Sequence, residues 1–329
     1  MNDKIGITTT IPQEVIWAAG KTPVDLNNLF LASELRDSFL NRAYRDGYPR
    51  TTCAWIAGIY GAVVDSENID TVIFVTEGDC SNTHALAETL EIKGIEVIPF
   101  AYPYNGDSHL LRSEIEALAR HLDTDMFEVE EWFEKLKRPR QLAAQVDYLT
   151  WAENRISSLE NHLCLVTSSD FNGDIEKYCE SARVLIDESS ERIPFTVKAR
   201  LAYIGVPPIF PELFDFIDSS GARVVFNEVQ RQFALPFFDV DMISAYASYT
   251  YPTKVFRRIE DIIREIKLRR IDGVIHYTQS FCFRQIEDLL FRKFIDVPIL
   301  TIEGESQFDL DERTRIRIES FIQMLADRQ

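Results

Sequence analysis

Apolar residues in this chain fall in short β-rich runs that alternate with stretches of helical period. Lys4 to Thr10 reads as a strand, Pro12-Gln13-Glu14 opens a helix, and Gly20 closes it before a second run at Thr22-Pro23-Val24-Asp25-Leu26. Proline in the first helical turn and glycine just past the last one are start and stop signals. The second half repeats the order. Arg200 to Val206 reads as a strand, Pro211-Glu212 opens a helix, and Gly221 closes it before Arg223-Val224-Val225-Phe226.

A longer match lies further along each half. Residues 69–80 read IDTVIFVTEGDC and residues 271–282 read IDGVIHYTQSFC, with six of twelve positions identical, the last a cysteine. Each segment leads through a loop and a helix-like stretch into another strand, at 95–100 and at 297–302. Strands alternating with helices at this spacing predict βαβ units and parallel sheets with helices on both faces. The fold class expected is therefore α/β, with two Rossmann-like or flavodoxin-like parallel-sheet domains related by an internal repeat. The first would span 1–106 and the second 197–329. Between them, 107–196 reads as a mainly helical connector, with apolar residues at helical spacing over 110–122, 127–136, 141–163 and 175–186.

Composition narrows the function classes. The chain has 329 residues, 46% of them hydrophobic, which is ordinary for a globular protein. With 35 Lys+Arg against 53 Asp+Glu the formal net charge is −18, so a phosphate backbone would be repelled, and no basic cluster offsets this. No run approaches the roughly 18 uncharged apolar residues of a membrane span. The start of the chain has no basic segment followed by an apolar one, so no secretion signal is expected. Five widely spaced cysteines, an odd number, argue against a disulfide scaffold. The expected location is the cytoplasm.

Three of those cysteines occupy chemically suggestive places. Cys80 and Cys282 each follow the end of a predicted strand, where parallel sheets gather ligands. Cys53 precedes the helix-like Ile56 to Val63, and a helix N-terminus favours a thiolate. Cys164 and Cys179 belong to the connector and follow no strand end. The residues alone leave two readings open, a shared ligand set or separate buried thiols, because no C-x2-C or compact ferredoxin run is present.

The order of these features resembles the 2-hydroxyacyl-CoA dehydratase and benzoyl-CoA reductase superfamily, in particular its dehydratase D-component-like members. The resemblance is carried by Thr8-Thr9-Thr10, Pro12-Gln13-Glu14, Ala18-Ala19-Gly20 and Pro23-Val24. It continues through Cys53, Cys80, Asp272-Gly273-Val274-Ile275-His276 and Phe281-Cys282, and ends in the Arg-rich 313–321. It implies an iron–sulfur cluster between two α/β domains, with Cys53, Cys80 and Cys282 as its ligands. The cofactor implied is a [4Fe–4S] cluster, or the [8Fe–9S] double cubane of one branch. It further implies an ATP-hydrolysing iron–sulfur activator, a homodimer or a paralogous partner subunit, and an acyl-CoA substrate. Two features depart from the pattern. The chain is short for the superfamily, and Ser81 follows Cys80 where many members carry aspartate. The enzyme reading is a lyase subunit or an ATP-dependent reductase component. Its alternatives are a double-cubane reductase of small molecules and a non-catalytic electron-transfer or structural subunit.

Other candidates carry less. His84 lacks partners for a zinc site, and His276 reads as a core histidine. Glu77, Asp79, Gln279 and Ser280 lie on the cysteine-bearing loops and could order substrate or water, although a solvated loop role suits each of them better taken singly. Glu303 and Glu305 follow a strand and could face the cleft as an acid or base, but neither is named catalytic. No hydrolase, P-loop or dinucleotide fingerprint occurs, so ATP would have to be bound by another protein. No acid or base is assigned.

Overall fold

The computed structural model describes residues 3–328. Eight strands form two four-stranded sheets in which every pairing is parallel. The first contains β1 (Lys4–Ile7), β2 (Thr22–Asp25), β3 (Ile69–Glu77) and β4 (Glu96–Ala101), in the order β2-β1-β3-β4. The second contains β5 (Ala199–Gly205), β6 (Ala222–Asn227), β7 (Gly273–Gln279) and β8 (Ile299–Gly304), in the order β6-β5-β7-β8. Replacing each strand by its counterpart turns one order into the other, so the repeat read from 69–80 and 271–282 extends to whole-sheet topology. In both sheets the chain steps from the first strand to the second on one side, then returns past the first to place the third. The carboxyl ends of β1 and β3, and of β5 and β7, therefore flank a topological switch point, where open parallel sheets open a crevice.

Strand composition follows from two-sided burial. Every residue of β6 and β7 is buried, as expected of parallel strands covered on both faces. One face of that sheet, with Ala202, Ile204, Val225, Phe226 and Val274, packs with Ile259, Ile262, Phe291 and Ile295. Those partners come from the helix Val255–Arg269, the helix Asp288–Phe294 and the residue just after it.

The chain divides into two compact units. One comprises Met1–Arg140, Thr167–Tyr178 and Phe237–Lys254, and the other Gln141–Val166, Cys179–Pro236 and Val255–Gln329. The helical middle of the chain is thus shared out between the units. Its helices also differ from the sequence pattern in one place. The stretches read separately as 127–136 and 141–163 are one helix, Met126–Trp151, containing Pro139, followed by a break and a second helix, Ser158–Val166. Proline removes one i→i−4 hydrogen bond, but Phe133, Leu136, Ala143 and Val146 are buried on either side of it, and that burial holds the helix through. The break comes instead near Asn154, which adopts a left-handed conformation with φ 53°.

Candidate functional site

Each of the three singled-out cysteines stands at the start of a helical turn. Cys53 is the N-cap of the helix Ala54–Val64, and its carbonyl accepts the Ala57 N–H at 3.1 Å. This helix feeds β3, so its N-terminus lies at the carboxyl edge of the first sheet. Cys80 lies past the end of β3, and its carbonyl accepts the Thr83 N–H at 3.0 Å as the helix Asn82–Glu91 begins. Cys282 lies past the end of β7 and is the N-cap of a 3-10 turn, Phe283–Glu287, with its carbonyl accepting the Gln285 N–H at 3.2 Å. Cys164 and Cys179 lie inside the helices Ser158–Val166 and Ile175–Ser190, and both are buried. None of the five forms a disulfide.

The loops carrying Cys80 and Cys282 each contain a bend or turn before the cysteine. Each strand is left through one residue of positive φ, Gly78 at 103° and Phe281 at 66°. A side chain on Gly78 would meet Pro252 Cβ at 2.5 Å, so glycine is required there by both conformation and space. Phe281 holds a left-handed conformation without that freedom, a local strain directly before Cys282. The surrounding polar residues fasten these loops. Asp79 Oδ1 accepts the Cys80 N–H at 2.8 Å and its Oδ2 accepts the Thr83 hydroxyl at 3.3 Å. Glu77 accepts the Tyr104 N–H at 3.0 Å. Ser280 Oγ donates to Glu303 at 2.9 Å, Gln285 Nε2 donates to the same oxygen at 2.7 Å, and Tyr277 donates to Gln279 at 2.7 Å.

Electrostatics differ between the sites of interest. Burial, with the Asp79 charge added to it, pushes the Cys80 thiol up to about 11, so it keeps its proton at neutral pH unless a cation stands beside it. Among the described residues no three His, Cys, Asp or Glu side chains are grouped closely enough to hold a metal ion. His84 Nε2 donates to the Thr76 carbonyl at 2.9 Å, which suits a loop-fastening role. His276 is fully buried against Phe291, with Nδ1 at 2.7 Å from Asp288, while its Nε2 makes no hydrogen bond.

The model of the 2-hydroxyglutaryl-CoA dehydratase D-component family matches residues 8–325. The chain belongs to that family. A search of curated proteins found no match. The matched residues take in β2 to β8, all five cysteines and the three Cys-bearing helix starts described above. Membership makes this chain a component of the 2-hydroxyacyl-CoA dehydratase type. Such components are linked to iron–sulfur chemistry, for which cysteine thiols are donors of the right kind.

Several well-built polar groups of this dehydratase component escaped sequence reasoning. Glu14, read only as a helix opener, is fully buried and pairs with Arg140 at 2.6 Å and with the Tyr246 hydroxyl at 2.7 Å. Arg258 is fully buried and joins Glu228, at the end of β6, to Glu287 of the Cys282 turn, at 2.7 and 2.6 Å. No local pattern announces such pairs, since Glu14 and Arg140 are 126 residues apart. Among the described residues no helix is long and apolar enough to cross a membrane.

Proposed function

We propose that this dehydratase component holds an iron–sulfur cluster through Cys53, Cys80 and Cys282 and receives a low-potential electron from an ATP-hydrolysing activator. One observation carries the reading: these three of the five cysteines, and no others, begin helical turns, two of them beyond the third strand of a repeated sheet. Bound there, a [4Fe–4S] cluster would supply one iron lacking a cysteine, open to a substrate oxygen, and a store for one electron. The protein's own residues prepare the ligands. Asp79 fixes the Cys80 backbone through its N–H, and Arg258 ties the Cys282 turn to the end of β6 through Glu287 and Glu228. Glu303 Oε1, with Ser280 and Gln285 both donating to it, is held as a carboxylate acceptor on the loop side of β8.

Anaerobic reconstitution with iron and sulfide tests this directly. The expected product is brown and oxygen-sensitive, with iron and acid-labile sulfide in near-equal amounts. Serine at Cys53, Cys80 or Cys282 should each strip most of the iron, because one lost thiolate leaves an iron without its anionic ligand. Cys164→Ser and Cys179→Ser should keep it. A colourless wild-type protein, or equal iron loss in the Cys164 and Cys80 variants, would defeat the assignment.

A further inference from the structure

We infer that Glu303 is the positioning residue of the Cys282 thiol: from the neighbouring strand, its carboxylate closes the loop that carries the cysteine and holds it in a strained form. The inference deepens the proposed function and rests on it, since a ligand role is what gives a fixed thiol its use.

The loop 279–285 leaves β7 and turns back on itself. The Gln279 carbonyl accepts the Cys282 N–H at 3.0 Å and the Gln285 side-chain N–H at 3.1 Å. The Cys282 carbonyl accepts the Gln285 N–H at 3.2 Å. These bonds shape the loop but do not fix it to the sheet. Glu303 does. It faces Thr278 in the parallel register of β7 and β8. Its Oε1 accepts from Ser280 Oγ, two residues before the cysteine, at 2.9 Å and from Gln285 Nε2, three residues after it, at 2.7 Å. One oxygen thus brackets the cysteine, and hydrogen bonds to a charged acceptor are stronger than neutral ones. The Ser280 N–H, donating to the Gly304 carbonyl at 2.8 Å, anchors the near end to the same strand.

The brace holds strain. Phe281, between Ser280 and Cys282, has a φ of 66° without being glycine. Its side chain is 62% exposed, so packing does not offset the cost. A residue in this region persists only where its surroundings over-determine it. Here Ser280 on one side and Gln285 on the other are both tied to Glu303. Released from it, Phe281 would relax toward negative φ and carry Cys282 with it. The first repeat meets the same need differently. Gly78 takes its positive φ without a Cβ to oppose it, and Asp79, inside the loop, fastens Cys80. The loop after β7 contains neither a glycine nor an acid before its cysteine, and the acid comes from β8 instead.

Alkylation of the iron-free, full-length protein by N-ethylmaleimide, resolved residue by residue with peptide mass spectrometry, tests the brace without a cluster. Glu303→Ala should speed labelling of Cys282 about tenfold, as for loss of a hydrogen bond to a charged group, and leave Cys80 unchanged. Glu303→Gln keeps an acceptor oxygen without the charge and should stay within about threefold of the wild type. Phe281→Gly removes the strain, so Glu303→Ala should have a smaller effect in that background. Three results would each overturn the proposal: wild-type labelling of Cys282 in Glu303→Ala, equal acceleration in the Gln and Ala variants, or an undiminished effect on the Phe281→Gly background. Release of iron to a chelator from reconstituted protein then links the brace to the ligand, and it should run about tenfold faster in Glu303→Ala. Unchanged release there, with iron lost in Cys282→Ser, would overturn the positioning role. Iron retained in Cys282→Ser would overturn the ligand set instead, while the labelling rates still decide the brace.

Discussion

Asp25 and Asp170 lie together at the carboxyl end of β2, and among the described residues no cation pairs with either. Both are buried, and Asp170 Oδ2 accepts the Asp25 N–H at 2.7 Å while Asp25 caps the helix Leu26–Ala32 through the Asn27 N–H at 2.9 Å. Burial, then the neighbouring Asp25 charge, pushes Asp170 up to about 7, and burial raises Asp25 as well. The sign of the consequence follows from linkage. An unfolded aspartate titrates near pH ~4, so between there and about 7 the folded protein holds a proton that the unfolded chain has lost. The stability contributed by Asp170 is therefore complete below that window and declines as pH rises through it. Asp170→Asn should flatten the decline, and urea unfolding at pH 5 and pH 8 measures it. An unchanged difference between the two pH values in the variant would show that the pair does not retain the proton. Residues of this kind were the least legible in sequence. The cysteines stood out because thiols are rare and two of them ended matched repeats, whereas Asp25 and Asp170 are ordinary acids brought together across 145 residues.

The helix Ala54–Val64, which begins at Cys53, crosses its neighbour Arg36–Arg45 at unusually close range. A Cβ on Gly61 would stand 2.1 Å from the Phe39 carbonyl oxygen, and one on Gly58 would stand 2.3 Å from the Phe30 ring. A phenyl ring can turn aside, but a helix backbone cannot, so Gly61 fixes the distance between the two helices. Gly61→Ala gains about 1 kcal/mol of intrinsic helix propensity. Separating the helices to make room should cost more, about 1–3 kcal/mol or beyond, leaving a net loss of stability. Urea denaturation decides the sign, and a stabilised variant would mean that the crossing is loose. At this scale the sequence was informative where periodicity was strong. Buried parallel strands are continuous apolar runs bounded by polar loops, so β1 and β3 and their counterparts β5 and β7 could be read directly. The single helix Met126–Trp151 was read as parts of two stretches, because the buried contacts of Phe133, Leu136, Ala143 and Val146 that carry it through Pro139 are tertiary. The close approach at Gly61 was equally hidden, since a glycine inside an apolar helix does not name the backbone it meets.

The two sheets share one strand order, and each places a cysteine just past its third strand. Duplication of a whole unit explains this more simply than two independent folds, and it was legible because the matched elements occur in the same succession in both halves. The electron donor of the proposed function was not legible in the same way, because it would be another protein. No nucleotide-hydrolysis fingerprint occurs in the sequence. The proposed function assigns hydrolysis to a separate activator whose conformational change would drive transfer. Cluster-loaded protein mixed anaerobically with a reduced activator should therefore change its electron paramagnetic resonance signal only when ATP is added. Turnover of a 2-hydroxyacyl-CoA after that change would establish the dehydratase reaction, whereas reduction of small unsaturated molecules without thioester turnover would assign the protein to double-cubane chemistry. Full reduction by a mild donor in the absence of ATP would remove the need for an activator and leave an ordinary electron carrier. Light scattering of the same loaded sample adds a second arm: an exposed iron needs shielding from water and oxygen, so a dimer, with itself or with a paralogous subunit, is the expected state during turnover.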